Sequence, residues 1–269
     1  MGKLRLLLGA GVLAWLAAVI PSLAVAQSGI SSGGHSPARG ETAVGKPTGR
    51  SPGAETVSFE IAQHGHEVGT ASFSLRRTPH GFDSTSLVKV AMQGLDYALS
   101  KNEELSPTRQ LVHLQLSATV NGEAVNVVAK PDAAQVLMNI SARGKSSTTR
   151  LNAHRGAVFM ADFDPGALQT LLALAAAQNN RDLWAISPKG SGSIDAVQLA
   201  TYPDQRGKLN GKQITVHHLL ATIAGAQTDL FSGPGNELLQ AELPEAGFAL
   251  VRKGFLLDPS PRPEAPRTE

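Results

Sequence analysis

Six short stretches hold the side chains whose types could do chemistry. In "HGHE" (64–67), His64, His66 and Glu67 offer two imidazoles and a carboxylate within four residues. A metal needs three or four convergent nitrogen or oxygen ligands, and Gly65 between the histidines marks a hairpin tip with its side chains in water. His217 and His218 are adjacent on an expected strand, so they face opposite sides and cannot chelate together. His218 shares its side with Ile214, Val216 and Leu220 and reads as a hydrogen-bonded core histidine.

Asp162 and Asp164, in "DFDPGALQTLLA", are two carboxylates in the spacing that opens a calcium loop. That loop would continue with a third oxygen residue, a glycine at the sixth position and a distant Glu, whereas this chain turns helical at once. Capping accounts for Asp164, with Pro165 as the first helical residue. "SPKGSGS" (187–193) contains Gly-x-Gly and a lysine, but a strand follows it where a phosphate loop requires a helix. "FSGPGN" (231–236) is no nucleophile elbow, and no pattern brings a Ser, a His and an acid together. "SARGKSSTTR" (141–150) sets Arg143, Lys145 and Arg150 around one turn; these could meet anionic head groups, or simply keep a sheet edge from associating. Cysteine is absent, which excludes thiol catalysis, disulfides and thiolate-ligated metals.

The elements that would position these residues are mostly strands. "LVHLQLSATVNGEAVNVVAK" (111–130) puts Val112, Leu114, Leu116, Ala118 and Val120 on one face and His113, Gln115, Ser117 and Thr119 on the other. Asn121-Gly122 supplies the two positive-φ positions of a type I′ turn. The turn then pairs Val120 with Glu123, Ala118 with Val125, Leu116 with Val127 and Leu114 with Ala129, so turn and pattern specify one register.

Similar alternation recurs from Val57 to the apolar run ending at Leu257, predicting roughly eleven or twelve strands, too many for a flat sheet to remain open without curling. One helix interrupts them, at about 165–178, and no residue from Pro165 to Asn180 is charged. A helix apolar nearly all round is an enclosed one. The expected fold is mainly β: a curled antiparallel meander sheet, or open half-barrel, around a single apolar helix.

Flanking segments have other compositions. Residues 1–26 read as a secretory signal, with Lys3 and Arg5, an apolar stretch to Ile20, and Ala24-Val25-Ala26 as the site cleaved after Ala26. Residues 27–55, rich in Gly, Ser, Pro and Thr, read as a disordered linker, and 258–269 as a Pro-rich disordered tail. Between them, 56–257 is expected to form a single domain. Loss of Lys3 and Arg5 takes the 24 basic residues to 22, equal to the 22 acidic ones. A neutral chain carries no basic footprint for nucleic acid. The expected location is periplasmic or extracellular, without a transmembrane segment after cleavage.

Near its end the domain carries Leu238-Leu239, then Pro244-Glu245-Ala246-Gly247, then Val251-Arg252-Lys253. A strand with paired leucines, a Pro-x-x-Gly turn and a final strand with arginine resembles the close of many exported bacterial β-rich proteins. The whole layout, with signal, linker, curled sheet and inserted helix, is similar to the lipoprotein-carrier-like folds of the bacterial envelope. That resemblance implies a hollow able to hold a lipid or another apolar small molecule.

The leading functional expectation is non-catalytic binding of an apolar or amphiphilic ligand, or of an envelope protein, with no cofactor. Candidate lining residues are Leu114, Leu116, Val127, Leu168, Leu171, Leu172 and Trp184. The alternatives are a hydrolase or metal-dependent enzyme built on His64, His66 or His218, and an envelope assembly protein without a small ligand. The last would show a large exposed apolar patch.

Overall fold

The computed structural model describes residues 55–259. The expected signal, nearly all of the linker and most of the tail lie outside them. Eight strands form an unbroken antiparallel meander: β1 (Thr56–Gln63), β2 (His66–Thr78), β3 (Gly81–Met92), β4 (Leu95–Leu105), β5 (Leu111–Val120), β6 (Glu123–Asp132), β7 (Gln135–Ala142) and β8 (Lys145–Asn152). Then come β9 (Gly156–Phe159), the helix α1 (Pro165–Ala177), β10 (Leu183–Ser187), β11 (Ser193–Leu209), β12 (Lys212–Ile223), β13 (Ala226–Ser232) and β14 (Leu238–Leu243). A 3-10 turn at Pro244–Ala246 leads to β15 (Phe248–Arg252) and β16 (Phe255–Leu257).

All sixteen strands belong to one open sheet, in which β1 pairs with β15 and so joins the first meander to the second. The count exceeds the expected eleven or twelve for local reasons. β9 is four buried residues with no alternation to reveal it, β13 mixes polar and apolar residues, and Lys253-Gly254 splits the last apolar run into β15 and β16. The sheet is also not wholly antiparallel: β9 and β10 run parallel, and α1 supplies the crossover such a pair requires.

Curling follows from connectivity. The strands at the two ends of the sheet order are β8 and β9, yet residues 153–155 alone link them. Such a link spans at most roughly 14 Å, so the two edges must approach each other. Thr149 on β8 donates to the Ser191 carbonyl in the β10–β11 turn at 2.5 Å. The edges do not pair, and the curl stays an open one.

The β5–β6 hairpin takes the register that pattern and turn both specify, from Val120–Glu123 to Leu114–Ala129. Asn121 (φ 50°) and Gly122 (φ 83°) are both left-handed, and Asn121 Oδ1 accepts from the Asp96 amide at 2.7 Å, tying this turn to β4. One residue departs from the expected dry face. Val112 is 46% exposed, because consecutive Glu104 and Leu105 on β4 pair with His113 and Leu111, which leaves Val112 as the extra residue of a bulge on β5. Across the bulge Leu111 turns inward in its place.

Asp164 caps α1, its Oδ1 accepting from the amides of Gly166 (2.9 Å) and Ala167 (3.2 Å), and Pro165 opens the first turn. The helix ends where Asn179 and Asn180 adopt positive φ, with the Asn180 amide donating to the Ala175 carbonyl. Leu171, Leu172, Leu174 and Ala175 are buried in the core that Leu114, Leu116, Val127, Phe59 and Phe159 line from the sheet. Each leucine enclosed there stabilises the fold by about 2 kcal/mol. The helix therefore lies sheltered by the sheet, as its lack of charge predicts. A smaller cluster, Val216, Phe231, Leu239 and Phe255, packs separately where β16 pairs with β11.

Candidate functional site

Chemistry-bearing residues gather at both ends of α1. At its N-terminus lies a buried charged cluster. Along "LDYALSKNEEL" the inward positions of β4 are Leu95, Tyr97, Leu99, Lys101, Glu103 and Leu105. Lys101 Nζ stands 3.1 Å from Glu103 Oε2 and 2.5 Å from Asp164 Oδ2, and none of the three residues is more than 3% exposed. Burial alone would push the Lys101 ammonium down, but Asp164 and Glu103, by charge and hydrogen bond, outweigh it and hold the ammonium above the ordinary lysine range. Burial pushes the Glu103 carboxyl up, Asp164 adds to this, and Lys101 offsets only part. Tyr97 is raised well above its usual value by burial and then by Asp162 and Asp164.

On β3, Ser86 pairs with Lys101 and Ser84 with Glu103, and neither buried hydroxyl has a hydrogen-bond partner among the described residues. A Cβ on Gly166 would sit 2.4 Å from Ser86 Oγ, so glycine lets the first turn of α1 lie against β3. Nearby, Lys189 Nζ reaches Asp162 Oδ1 at 2.7 Å. Lys101, Glu103 and Asp164 are enclosed between helix and sheet. The cluster anchors the helix to the sheet.

Alternation through "LDYALSKNEEL" carried the signal for it, since continuing the step of two from Leu95 lands on Lys101 and Glu103. The capping role of Asp164 is legible in the sequence, but its pairing with a cation on β4 is not.

The histidines are dispersed. His64 and His66 are exposed at the β1–β2 turn, where the His64 amide donates to the Gly247 carbonyl at 2.8 Å. His217 and His218 face opposite sides of β12. His217 Nδ1 lies 2.9 Å from Asp204 Oδ1. His218 is sandwiched between Tyr202 and Phe231, with ring centroids 4.8 and 4.6 Å away, and its Nε2 lies 2.7 Å from Asp229 Oδ1. Among the described residues no group of three or more His, Asp or Glu is placed to hold a metal ion.

The C-terminal end of α1 is open. A cleft of about 810 Å³, apolar over most of its lining, is bounded by Leu174, Ala177 and Gln178 on the helix. Pro107, Thr108 and Gln110 of the β4–β5 loop form a second wall, and His154 and Arg155 of the β8–β9 link a third. Asp182 and Trp184 at the start of β10 complete it. The imidazole of His154 stacks on the Trp184 indole, with centroids 3.7 Å apart and planes at 26°. This volume falls within the 300–1,000 Å³ usual for small-molecule sites.

Of the residues singled out from sequence, Leu114, Leu116, Val127, Leu171 and Leu172 lie in the packed core. Leu168 is half-buried against it, and Trp184 both packs on the core and lines the cleft. Leu174, Ala177, His154 and Arg155 were not foreseen as lining, because three separate loops and the helix end compose this wall.

Comparison with protein-family models, curated proteins and solved structures finds no match for the chain.

Proposed function

We propose that this protein binds an apolar or amphiphilic small molecule, without catalysis, in the cleft at the C-terminal end of α1. The observation that carries the reading is the cleft itself: Leu174 and Ala177 on one side and the Trp184–His154 stack on the other give an apolar slot at the mouth of the curl. Burying a chain of methylenes there contributes about 0.8 kcal/mol for each one removed from water. The Lys101–Glu103–Asp164 cluster holds the helix still while its far end stays open, so the slot is largely formed before a ligand arrives. We place the protein outside the cytoplasm, released by cleavage after Ala26.

Native mass spectrometry of the purified protein, with analysis of its organic extract, tests the reading. A reproducible bound amphiphile is expected, lost on Trp184→Ala. A protein that stays empty from native cells, and that takes up no alkyl-chain ligand added to it, overturns it.

A further inference from the structure

The buried cluster at the N-terminus of α1 sets a primary amine against a carboxylate. Lys101 Nζ stands 2.5 Å from Asp164 Oδ2 and 3.1 Å from Glu103 Oε2, and all three residues are buried. An amine and a carboxylic acid condense to an amide with loss of water. In solution both groups are charged, so neither is reactive, and the surrounding water drives the reverse reaction. Both obstacles shrink in this site. Moving one proton from Nζ to Oδ2 replaces two buried charges by a neutral amine and a neutral acid, which burial favours. The acids hold the Lys101 proton against loss to solvent, whereas this transfer keeps it inside the cluster. Groups fixed in contact also react as if at about 10⁵ M or more, far above the water that opposes condensation.

The neighbours supply what the reaction needs. Asp164 Oδ1 accepts from the amides of Gly166 (2.9 Å) and Ala167 (3.2 Å), two donors at the positive end of the helix. They hold the negative charge that gathers on Oδ1 when Cγ is attacked. Glu103 is within reach of the Nζ protons, and burial raises its pKa, which makes its carboxylate the stronger base. The buried Ser84 and Ser86 hydroxyls, without partners among the described residues and close to Gly166, offer hydrogen bonds to the released water.

We propose that the folded chain joins Lys101 to Asp164 by an isopeptide bond, with Glu103 as the proton carrier. The Nζ lone pair attacks Cγ, and the Cγ–Oδ1 π pair moves onto Oδ1. Nζ passes its surplus proton to Glu103, which returns it to Oδ2. The Cγ–Oδ2 bond then breaks, and Oδ2 leaves as water with the two protons it has gathered. The product is an amide whose oxygen still caps α1, and Glu103 is a carboxylate again. No oxidant, reductant or cofactor takes part. The ion cluster is the reactant state, and its electrostatics govern any chain in which the bond has not formed. The bond ties β4 to α1 in a protein that has no cysteine to cross-link.

Tryptic digestion of the denatured full chain, followed by mass spectrometry, tests this. Residues 90–109 are expected joined to residues 156–181, one water lighter than the two peptides together, with cleavage after Lys101 blocked. Lys101→Arg and Glu103→Gln should each release the two segments unlinked, with circular dichroism confirming that both variants fold. The wild-type digest decides the bond by itself if either variant unfolds. A wild-type chain cut after Lys101, with residues 156–181 at their full mass, overturns the inference, and so does a missing water that maps to any other pair of residues. A Glu103→Gln chain that is still linked overturns the role given to Glu103.

Discussion

Lys101 Nζ on β4 lies 2.5 Å from Asp164 Oδ2, the side chain whose other oxygen caps α1, so one carboxylate joins the sheet's inner face to the helix's first turn. A fully buried cation is tolerated here because Glu103 and Asp164 both face it. The arrangement resists loss of any one partner more than it adds to net stability.

Lys101→Met should therefore destabilise the domain by roughly 3–5 kcal/mol, because two buried carboxylates lose their counter-charge. Urea unfolding followed by circular dichroism measures this. Adding Glu103→Leu and Asp164→Ser, which removes both acids while keeping a capping hydroxyl, should recover most of the loss.

The same cluster sets a pH dependence. The Glu103 pKa in the folded state is raised above 4.5, so between that value and the folded one the unfolded chain has released a proton that the folded chain retains. Its contribution to stability is present at low pH and is lost as pH rises through that window. Glu103→Gln should flatten this part of the profile. Tyr97 and Lys101 are raised from 10.0 and 10.5, so stability should fall again as pH rises above 10. Denaturant midpoints from pH 4 to 11 check both slopes, and a stability that climbs above pH 10 would contradict the second.

Gly166→Ala places a methyl 2.4 Å from Ser86 Oγ and should cost about 1–3 kcal/mol, since the helix must lift from β3. Ser86→Ala alone removes a buried hydroxyl without a partner and should be close to neutral or stabilising. Combined, the two should be less destabilising than their sum, and a double-mutant cycle reads that coupling directly.

Trp184→Ala removes one wall of the cleft and the surface on which His154 stacks. Affinity for an alkyl-chain ligand such as dodecyl maltoside, read by calorimetry, should fall about tenfold or more, in line with the apolar area lost. Gln169→Ala, at a helix side chain whose Oε1 accepts from the Leu238 amide, should instead lower the melting temperature and leave the affinity alone.

Short-range pattern was enough for much of the fold. Alternation and Asn121-Gly122 specify the β5–β6 register, and Asp164-Pro165 with Asn179-Asn180 bounds the helix. The absence of charge between those bounds says that the helix is enclosed. These features rest on contacts within a few residues along the chain or across one turn, where steric and capping preferences act without help from the rest of the fold. Tertiary structure decided what remains. The bulge opposite Leu105 turned Val112 outward, Asp164 gave Lys101 its partner more than sixty positions away, and the curl brought 107–110, 154–155 and 174–184 around one cleft. Those outcomes depend on how twist accumulates over many strands until two distant edges approach, and no local preference carries that sum.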